Sequence, residues 1–168
     1  MISYQNSKQI LKKGFIKIKD ENIKSINSLN RVNSNNIYSH INYPAGDNAA
    51  FDGFAINSKD KKNIKRNSNQ QFKIIGSVAA GAKPFKKKIK KFDAVEIMTG
   101  GIIPKGFDTI IPIEKINFYP NRINRKYILV NQKINKNNHV RFKGSDYKKN
   151  ELVLKKNTII QPNHILAF

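Results

Sequence analysis

Three segments of this 168-residue chain combine Asp, Thr, Gly, Pro and Arg at spacings that suit chemistry on loops, where binding residues concentrate. The first, Tyr43 to Ala55, holds Pro44, Asp47, Asn48, Asp52 and Gly53. Asp47-Asn48 reads as a side-chain-capped turn and Asp52-Gly53 as a tight turn feeding a strand, so Asp52 is either a turn former or a carboxylate offered to a ligand. The second, Ala94 to Glu114, sends an alternating strand into Thr99-Gly100-Gly101 and continues through Pro104, Gly106 and Asp108 to Glu114. Glycine lets backbone amides approach a ligand closely, and successive amides there could form an anion-binding nest or, equally, a β-bulge. The third, Asn138 to Asp146, places Arg141 and Lys143 ahead of Gly144 and Asp146. It suits a phosphate or a solvated surface.

These loops need elements to hold them. The first 33 residues suit two short helices, with Ile10, Leu11, Phe15 and Ile18 in one cluster and Ile23, Ile26 and Leu29 spaced by three in the next; Gly14 and abundant Asn weaken both. From Ile37 short apolar runs alternate with turn residues, the signature of many short strands. The expected strands are Ile37 to Ile41, Phe54 to Asn57, Phe72 to Ala79, Ala94 to Thr99, Thr109 to Glu114, Tyr127 to Asn131, His139 to Phe142 and Glu151 to Leu154. Tyr119-Pro120-Asn121 suggests a hairpin loop, and Pro112 puts its strand on an edge or at a bulge. A helix starts with Pro162 at its first position and runs barely two turns, short for a helix on its own.

Composition excludes several classes. There is no cysteine, hence no disulfide, thiolate site or cysteine nucleophile. The three histidines, His40, His139 and His164, have no recognised metal spacing, so a metal would be a hard ion on oxygen ligands. No 18-residue apolar run and no apolar leader is present, which points to a cytoplasmic protein without a membrane partner. The net charge of +21 would suit a nucleic acid or another polyanion. Its makeup argues against that partner: 27 of the 32 basic residues are Lys and five are Arg, the residue suited to paired oxygens. Lys, Asn and Ile all have A/T-rich codons, so base composition accounts for the charge, and Lys59 to Arg66 and Lys86 to Lys91 read as solvated loops.

Taken in order, the three segments resemble the molybdopterin molybdenumtransferase family, which includes the E domain of gephyrin. The first is similar to the family pattern P-x-F-D-N-S-A-M-D-G-Y-A at Pro44, Asp47, Asn48, Ala50, Asp52, Gly53 and Ala55. The second is similar to I-M-T-G-A-x-x-P-x-G-A-D-x-V-x-x-x-E at Ile97 to Gly100, Pro104, Gly106, Asp108 and Glu114. Arg141 to Asp146 resembles R-x-x-G-x-D, Asn30-Arg31-Val32 stands where the family has Gly-Arg-Val/Ile, and Val78 to Gly81 resembles a small-residue turn. The likeness covers Ser25 to Phe168.

The resemblance implies a mainly β protein with α: short N-terminal helices, an extended helix and strand lobe (1–48 plus 143–168) and a β-barrel-like lobe of short strands (49–142). It implies molybdenum cofactor biosynthesis, in which molybdate and adenylylated molybdopterin (molybdopterin-AMP) react with release of AMP, assisted by Mg²⁺. Asp52 is then the catalytic candidate and the possible metal ligand, and Thr99 a hydrogen-bond donor to the same substrate. Arg141, Asp146, Gly100 and Gly101 would bind phosphate, with Asp146 orienting Arg141. Pro44, Asp47, Asn48, Gly53, Pro104, Gly106, Asp108 and Glu114 would shape the loops, Glu114 by closing a strand. The family's cleft is shared in a dimer, so the partner is a second copy or a chain that supplies the molybdopterin-binding domain, which is expected to lie outside this sequence. Departures are Gly46 for an aromatic, Ala49 for Ser, Phe51 and Phe54 for Met and Tyr, and Gly101 for Ala; the last adds ~0.5–1 kcal/mol of chain entropy to its loop. Two other readings stand beside this one: a non-catalytic dimerisation or interaction module of the family, and a basic polyanion-binding protein.

Overall fold

The computed structural model describes residues 2–14, 18–60 and 69–168. Its elements in chain order are α1 (Tyr4–Lys13), β1 (Ile37–Tyr38), β2 (Asn48–Ala49), β3 (Gly53–Ile56), β4 (Gln70–Val78), β5 (Asp93–Ile97), β6 (Thr109–Pro112), β7 (Asn117–Tyr119), β8 (Tyr127–Val130), β9 (Val140–Arg141), β10 (Leu152–Leu154) and α2 (Pro162–Ala167). The chain divides into two compact units, Met1–Ile37 with Leu152–Phe168, and Tyr38–Glu151. By compactness, residues 38–48 and 143–151 thus belong with the β-rich body. The cause is local: Tyr43 exchanges backbone hydrogen bonds with Tyr147, and β2 pairs with β9.

In the smaller unit, the Ser3 hydroxyl caps α1 by accepting from the Asn6 amide, and Lys12 and Lys13 sit in the last turn, where they complement the helix dipole. The helix stops at Gly14, whose amide donates to the Ile10 and Leu11 carbonyls; Phe15 lies outside the described residues. The second expected helix is only a single 3-10 turn, Ser25–Asn27. Ser28 explains the arrest, because its hydroxyl donates to the Ser25 carbonyl at 2.5 Å and competes with the helical ladder. Asn33 ties this unit together: it is buried, its Nδ2 donates to the Asn35 and Lys155 carbonyls, and its Oδ1 accepts from the Thr158 amide. α2 begins with Pro162, as its sequence requires, and spans six residues.

The larger unit is built on a six-stranded sheet in the order β6-β3-β5-β4-β8-β7, curled as a half-barrel and antiparallel except between β4 and β5. The fold class is therefore the expected one, mainly β with few helices. Side chains alternate across a strand, and β3 shows the consequence: Phe54 and Ile56 enter a cluster with Phe72, Ala94 and Ile128, whereas Ala55 faces Val78, Val95 and Ile110. Both faces are covered, which is why β3 and β6 are buried along their whole length. Pro112 ends β6 at the sheet edge, where no ladder amide is required. The Thr109 strand stops there, and Glu114 falls in a 3-10 turn, Ile113–Lys115. The expected hairpin joins β7 and β8, its loop held by Asn121 Oδ1, which accepts from the Ile123 and Asn124 amides. Two strands escaped the apolar pattern, β2 and β7, of two and three residues. Lys86 to Lys91 is a loop with all its lysines exposed, while residues 61–68 of the other basic run lie outside the described residues.

Gly53 is the tightest point of the sheet, since a Cβ there would stand 2.1 Å from the Ile111 carbonyl oxygen and 3.0 Å from Pro112 Cα. Gly53→Ala should therefore destabilise the larger unit by about 1–3 kcal/mol or more, through overpacking against backbone that cannot yield. Urea unfolding read at Tyr fluorescence checks this; an unchanged midpoint would show that β3 and β6 are not so closely apposed.

Candidate functional site

Three backbone hydrogen bonds bring the first two chemical loops together around β2, and a fourth ties in the third segment. The Ala49 amide donates to the Gly101 carbonyl at 3.0 Å, the Gly100 amide to the Ala49 carbonyl at 2.9 Å, and the Ile103 amide to the Asp47 carbonyl at 2.9 Å. On the other side of β2 the Ala50 amide donates to the His139 carbonyl at 3.0 Å. β2 thus lies between the Thr99-Gly100-Gly101 loop and β9, which brings in Arg141 opposite Asn48.

Asp52 follows β2 on an exposed turn and is fixed twice. Its carbonyl accepts from the Ile113 amide at 3.1 Å. Its Oδ1 accepts from both the Thr99 amide and the Thr99 hydroxyl at 2.7 Å. Two donors on one carboxylate oxygen favour the charged form, so the Asp52 pKa falls below its ordinary 3.8, the Thr99 backbone bond first and the hydroxyl bond second, against a small opposing desolvation. Asp52 is accordingly a firmly ionised acceptor near neutral pH.

The anion-nest reading of the glycine loop is corrected by the same geometry. The amides of Thr99, Gly100 and Gly101 donate to Asp52 Oδ1, the Ala49 carbonyl and the Met98 carbonyl respectively, and each has one proton to give. Gly100 and Gly101 are thus engaged in holding the loop. Gly100 has φ 79°, in the region that favours glycine, whereas Gly101 is buried and a Cβ on it would come within 2.9 Å of Ile97 Cγ1 and the Met98 carbonyl oxygen. The glycine that replaces the family's alanine fits a small space and does not leave a slack loop. Thr99 likewise uses both its donors on Asp52.

Arg141 pairs with the Asp146 carboxylate through Nη2, and its guanidinium carbon lies 5.8 Å from the Tyr43 ring centroid. That loop is bound to the first segment by backbone: the Gly144 amide donates to the Pro44 carbonyl at 2.9 Å and the Asp146 amide to the Tyr43 carbonyl at 3.0 Å. Tyr43–Pro44 is a cis peptide, and Gly144 takes φ 69°. The Arg141 side chain is about half exposed, leaving guanidinium donors toward solvent.

The remaining sequence-predicted residues have structural surroundings. Asp47 and Asn48 do not form a side-chain-capped turn: Asn48 is in β2, and Asp47 Oδ1 reaches across the chain to accept from the Lys143 amide at 2.8 Å. Asp108 accepts from the Ser58 amide at 2.7 Å and the Ser58 hydroxyl at 2.8 Å, and Asn57 Nδ2 donates to the Gly106 carbonyl at 3.0 Å. Pro104 is buried and accepts from the Phe107 amide, while Glu114 is exposed beside a cleft of about 520 Å³. None of the predicted site residues lines the smaller unit's cleft of about 830 Å³. Pattern reading missed Tyr43 under Arg141 and the Phe51 ring against His139; the exposed aromatic beside each polar residue was the available signal.

Among the described residues no three His, Asp or Glu side chains converge as a metal cage. Asp52 alone still fits Mg²⁺, which commonly takes one or two carboxylates and completes its shell with substrate phosphate and water.

The chain is thus a mainly β protein whose polar loop residues gather on one short ribbon and its flanking loops. Residues 2–168 match the model of the MoeA N-terminal region (domain I and II), and the chain belongs to that family. It is 30% identical over 138 residues to the molybdopterin molybdenumtransferase of Staphylococcus aureus (strain Mu50), covering 82% of this chain and 32% of the relative. With the enzyme of the same name from Bacillus subtilis (strain 168) it shares 29% over 135 residues, 80% of this chain and 31% of that one. The crystal structure of the molybdopterin biosynthesis moeA protein from Pyrococcus horikoshii OT3 superposes with a TM-score of 0.83 at 27% identity, over 99% of this chain and 43% of that chain. The chain therefore spans about a third of the length of these curated relatives.

Thr99→Val removes the hydroxyl bond and keeps the backbone one. Carbon-detected titration should show the Asp52 pKa rising toward, but not to, 3.8. The sign for stability follows from a depressed folded-state pKa: the Asp52 contribution is complete above 3.8 and is lost as pH falls through the lower folded value. An unmoved Asp52 titration in the variant would mean the hydroxyl bond is absent in solution.

Proposed function

We propose that this chain works in molybdenum cofactor biosynthesis, supplying the Asp52, Thr99 and Arg141 wall of a site at which adenylylated molybdopterin and molybdate react with release of AMP. The observation that carries the reading is the Asp52 carboxylate held by two Thr99 hydrogen bonds, in an Asp52-Gly53 pair that resembles the family's Asp-Gly motif.

The two Thr99 hydrogen bonds that hold Asp52 in its charged form favour some of the roles a carboxylate can take. General-base work favours a pKa near the operating pH, so Asp52 is a weak base; a permanently charged acceptor can instead orient water or hold a cation against a phosphoanhydride. Mg²⁺ held by Asp52 would neutralise phosphate charge. Thr99 is then a positioning residue, since both its donors keep Asp52 in place and its hydroxyl oxygen retains lone pairs for a substrate donor. Arg141 offers a fork to paired phosphate oxygens, with Asp146 and Tyr43 fixing its plane. In this reading the site is completed by a second copy or by a chain carrying the molybdopterin-binding domain, and the whole acts in the cytoplasm. Among the described residues no helix is long and apolar enough to cross a membrane.

The test combines this chain with the remaining two thirds of the Bacillus subtilis relative and follows molybdate-dependent AMP release from adenylylated molybdopterin. Release should require this chain and fall on the order of 100-fold with Asp52→Asn, the scale of removing one positioned group at a reacting centre. Equal rates with Asp52→Asn would sink the proposal. So would a failure of this chain where the relative's own N-terminal region restores release.

A further inference from the structure

The connection from β4 to β5 carries six lysines in the nine positions 83–91: Lys83, Lys86, Lys87, Lys88, Lys90 and Lys91, all exposed. The backbone beneath them is pinned. Phe85 and Ile89 pack against the cluster of Val78, Val95 and Ile97. A Cβ on Gly76 would stand 2.9 Å from Phe85 Cε2, and one on Gly106 would stand 3.5 Å from Ile89 Cδ1, so both side chains rest on the body of the unit. Lys87 turns back, its Nζ donating to the Ile75 carbonyl at 2.7 Å. The Lys90 amide donates to Asp93 Oδ2 at 2.7 Å and the Phe92 amide to Asp60 Oδ2 at 3.0 Å. Base composition accounts for how many lysines the chain has, but not for the two apolar anchors that hold these six together.

Their ammonium groups have no carboxylate of their own. Every Asp and Glu of the chain lies among the described residues, where the ion pairs are Arg31 with Glu21, Arg125 with Glu96 and Arg141 with Asp146, none of them with a lysine. Asp60 and Asp93, at the end of the loop, are buried and accept from backbone amides. Like charges held on a pinned loop cannot move apart, so they raise the local positive potential and attract an anionic partner. The chemistry of the loop selects among anions. Lysines are hydrated point charges without the fork that reads paired phosphate oxygens. Single-stranded nucleic acid also needs rings on which to stack its bases, and the two rings of this connection, Phe85 and Phe92, are packed against the core clusters. A second copy of the chain, itself at +21, is repelled.

We infer that the Lys83 to Lys91 loop is a docking surface for an acidic segment of another polypeptide, a run of Asp or Glu whose carboxylates lie along the lysines. The inference stands on this loop and is independent of the activity proposed above.

The test measures binding of the full 168-residue chain to a fluorescent polyglutamate peptide and to an oligothymidylate of equal charge, by anisotropy at low and at physiological salt. Polyglutamate should bind the more tightly, and salt should weaken it by screening. Lys86→Gln, Lys88→Gln, Lys90→Gln and Lys91→Gln combined, which leave Lys87 and both anchors in place, should weaken polyglutamate about tenfold, the joint scale of four exposed ion pairs. Lys8→Gln, Lys12→Gln, Lys155→Gln and Lys156→Gln combined remove the same charge from the smaller unit and should cost less than about twofold, the scale of a screened distant charge. Arg at the four loop positions should restore binding and so separate lost charge from lost folding. Equal losses in the two Gln variants would show that net charge alone binds the peptide and would overturn the docking surface. Failure of the Arg variant to restore binding would overturn it too, and tighter binding of oligothymidylate would replace the acidic polypeptide with a nucleic acid.

Discussion

The close passage of β3 along β6 is the constraint on which the rest of the larger unit depends. Gly53 can enter the sheet only because it has no Cβ to meet the Ile111 carbonyl. With β3 seated there, the Asp52 carbonyl comes into register with the Ile113 amide, and the turn that carries Asp52 is anchored from the sheet side. β5 pairs with the opposite edge of β3, Gly53 facing Ile97, so the residues just past Ile97 emerge beside the same turn. Thr99 therefore meets Asp52 as a result of strand pairing. The hydrogen bonds between them fix a side-chain geometry that the backbone register has already prepared.

A second consequence concerns how polar groups are distributed. The loop amides that sequence reading offers to a ligand are taken by the chain's own acceptors, with Thr99, Gly100 and Gly101 all donating internally. Asp47 and Asp108 cap loops distant in sequence, through the Lys143 amide and through Ser58. Among the groups that face solvent are the Asp52 carboxylate, the guanidinium of Arg141 and the Phe51 ring. Much of the polar character of these Gly- and Asp-rich loops thus goes into holding their shape.

Strand positions were legible in the sequence wherever a run was long enough to show a period. The Phe72 and Ala94 runs became β4 and β5 at nearly their expected bounds. The two missed strands have two and three residues, too few for any alternation, and β2 contains Asn48, whose polarity reads as a turn. The second helix failed because the threefold spacing of Ile23, Ile26 and Leu29 carries no information about Ser28, whose hydroxyl captures the backbone carbonyl. At the site, residue types pointed to Asp52, Thr99 and Arg141, but the direction of each hydrogen bond was invisible. A Thr-Gly-Gly sequence suits an anion nest and a self-satisfied loop alike, and only the strand register decides which carbonyls the amides meet.

The substitutions away from the family pattern acquire sense in this frame. Phe54, where the family has Tyr, is fully buried against Phe118, so a hydroxyl there would need a buried partner and its loss carries no cost in recognition. Ala49 is also buried, between the Gly101 loop and β9. Both changes thus convert interior polar positions to apolar ones, and neither removes a group from the exposed face. Phe51 moves in the opposite sense, placing a rigid ring in the open where the family has a flexible thioether. The hydroxyl losses are thus confined to the interior, and the one change on the exposed face exchanges a flexible apolar side chain for a stiff one next to Asp52 in sequence.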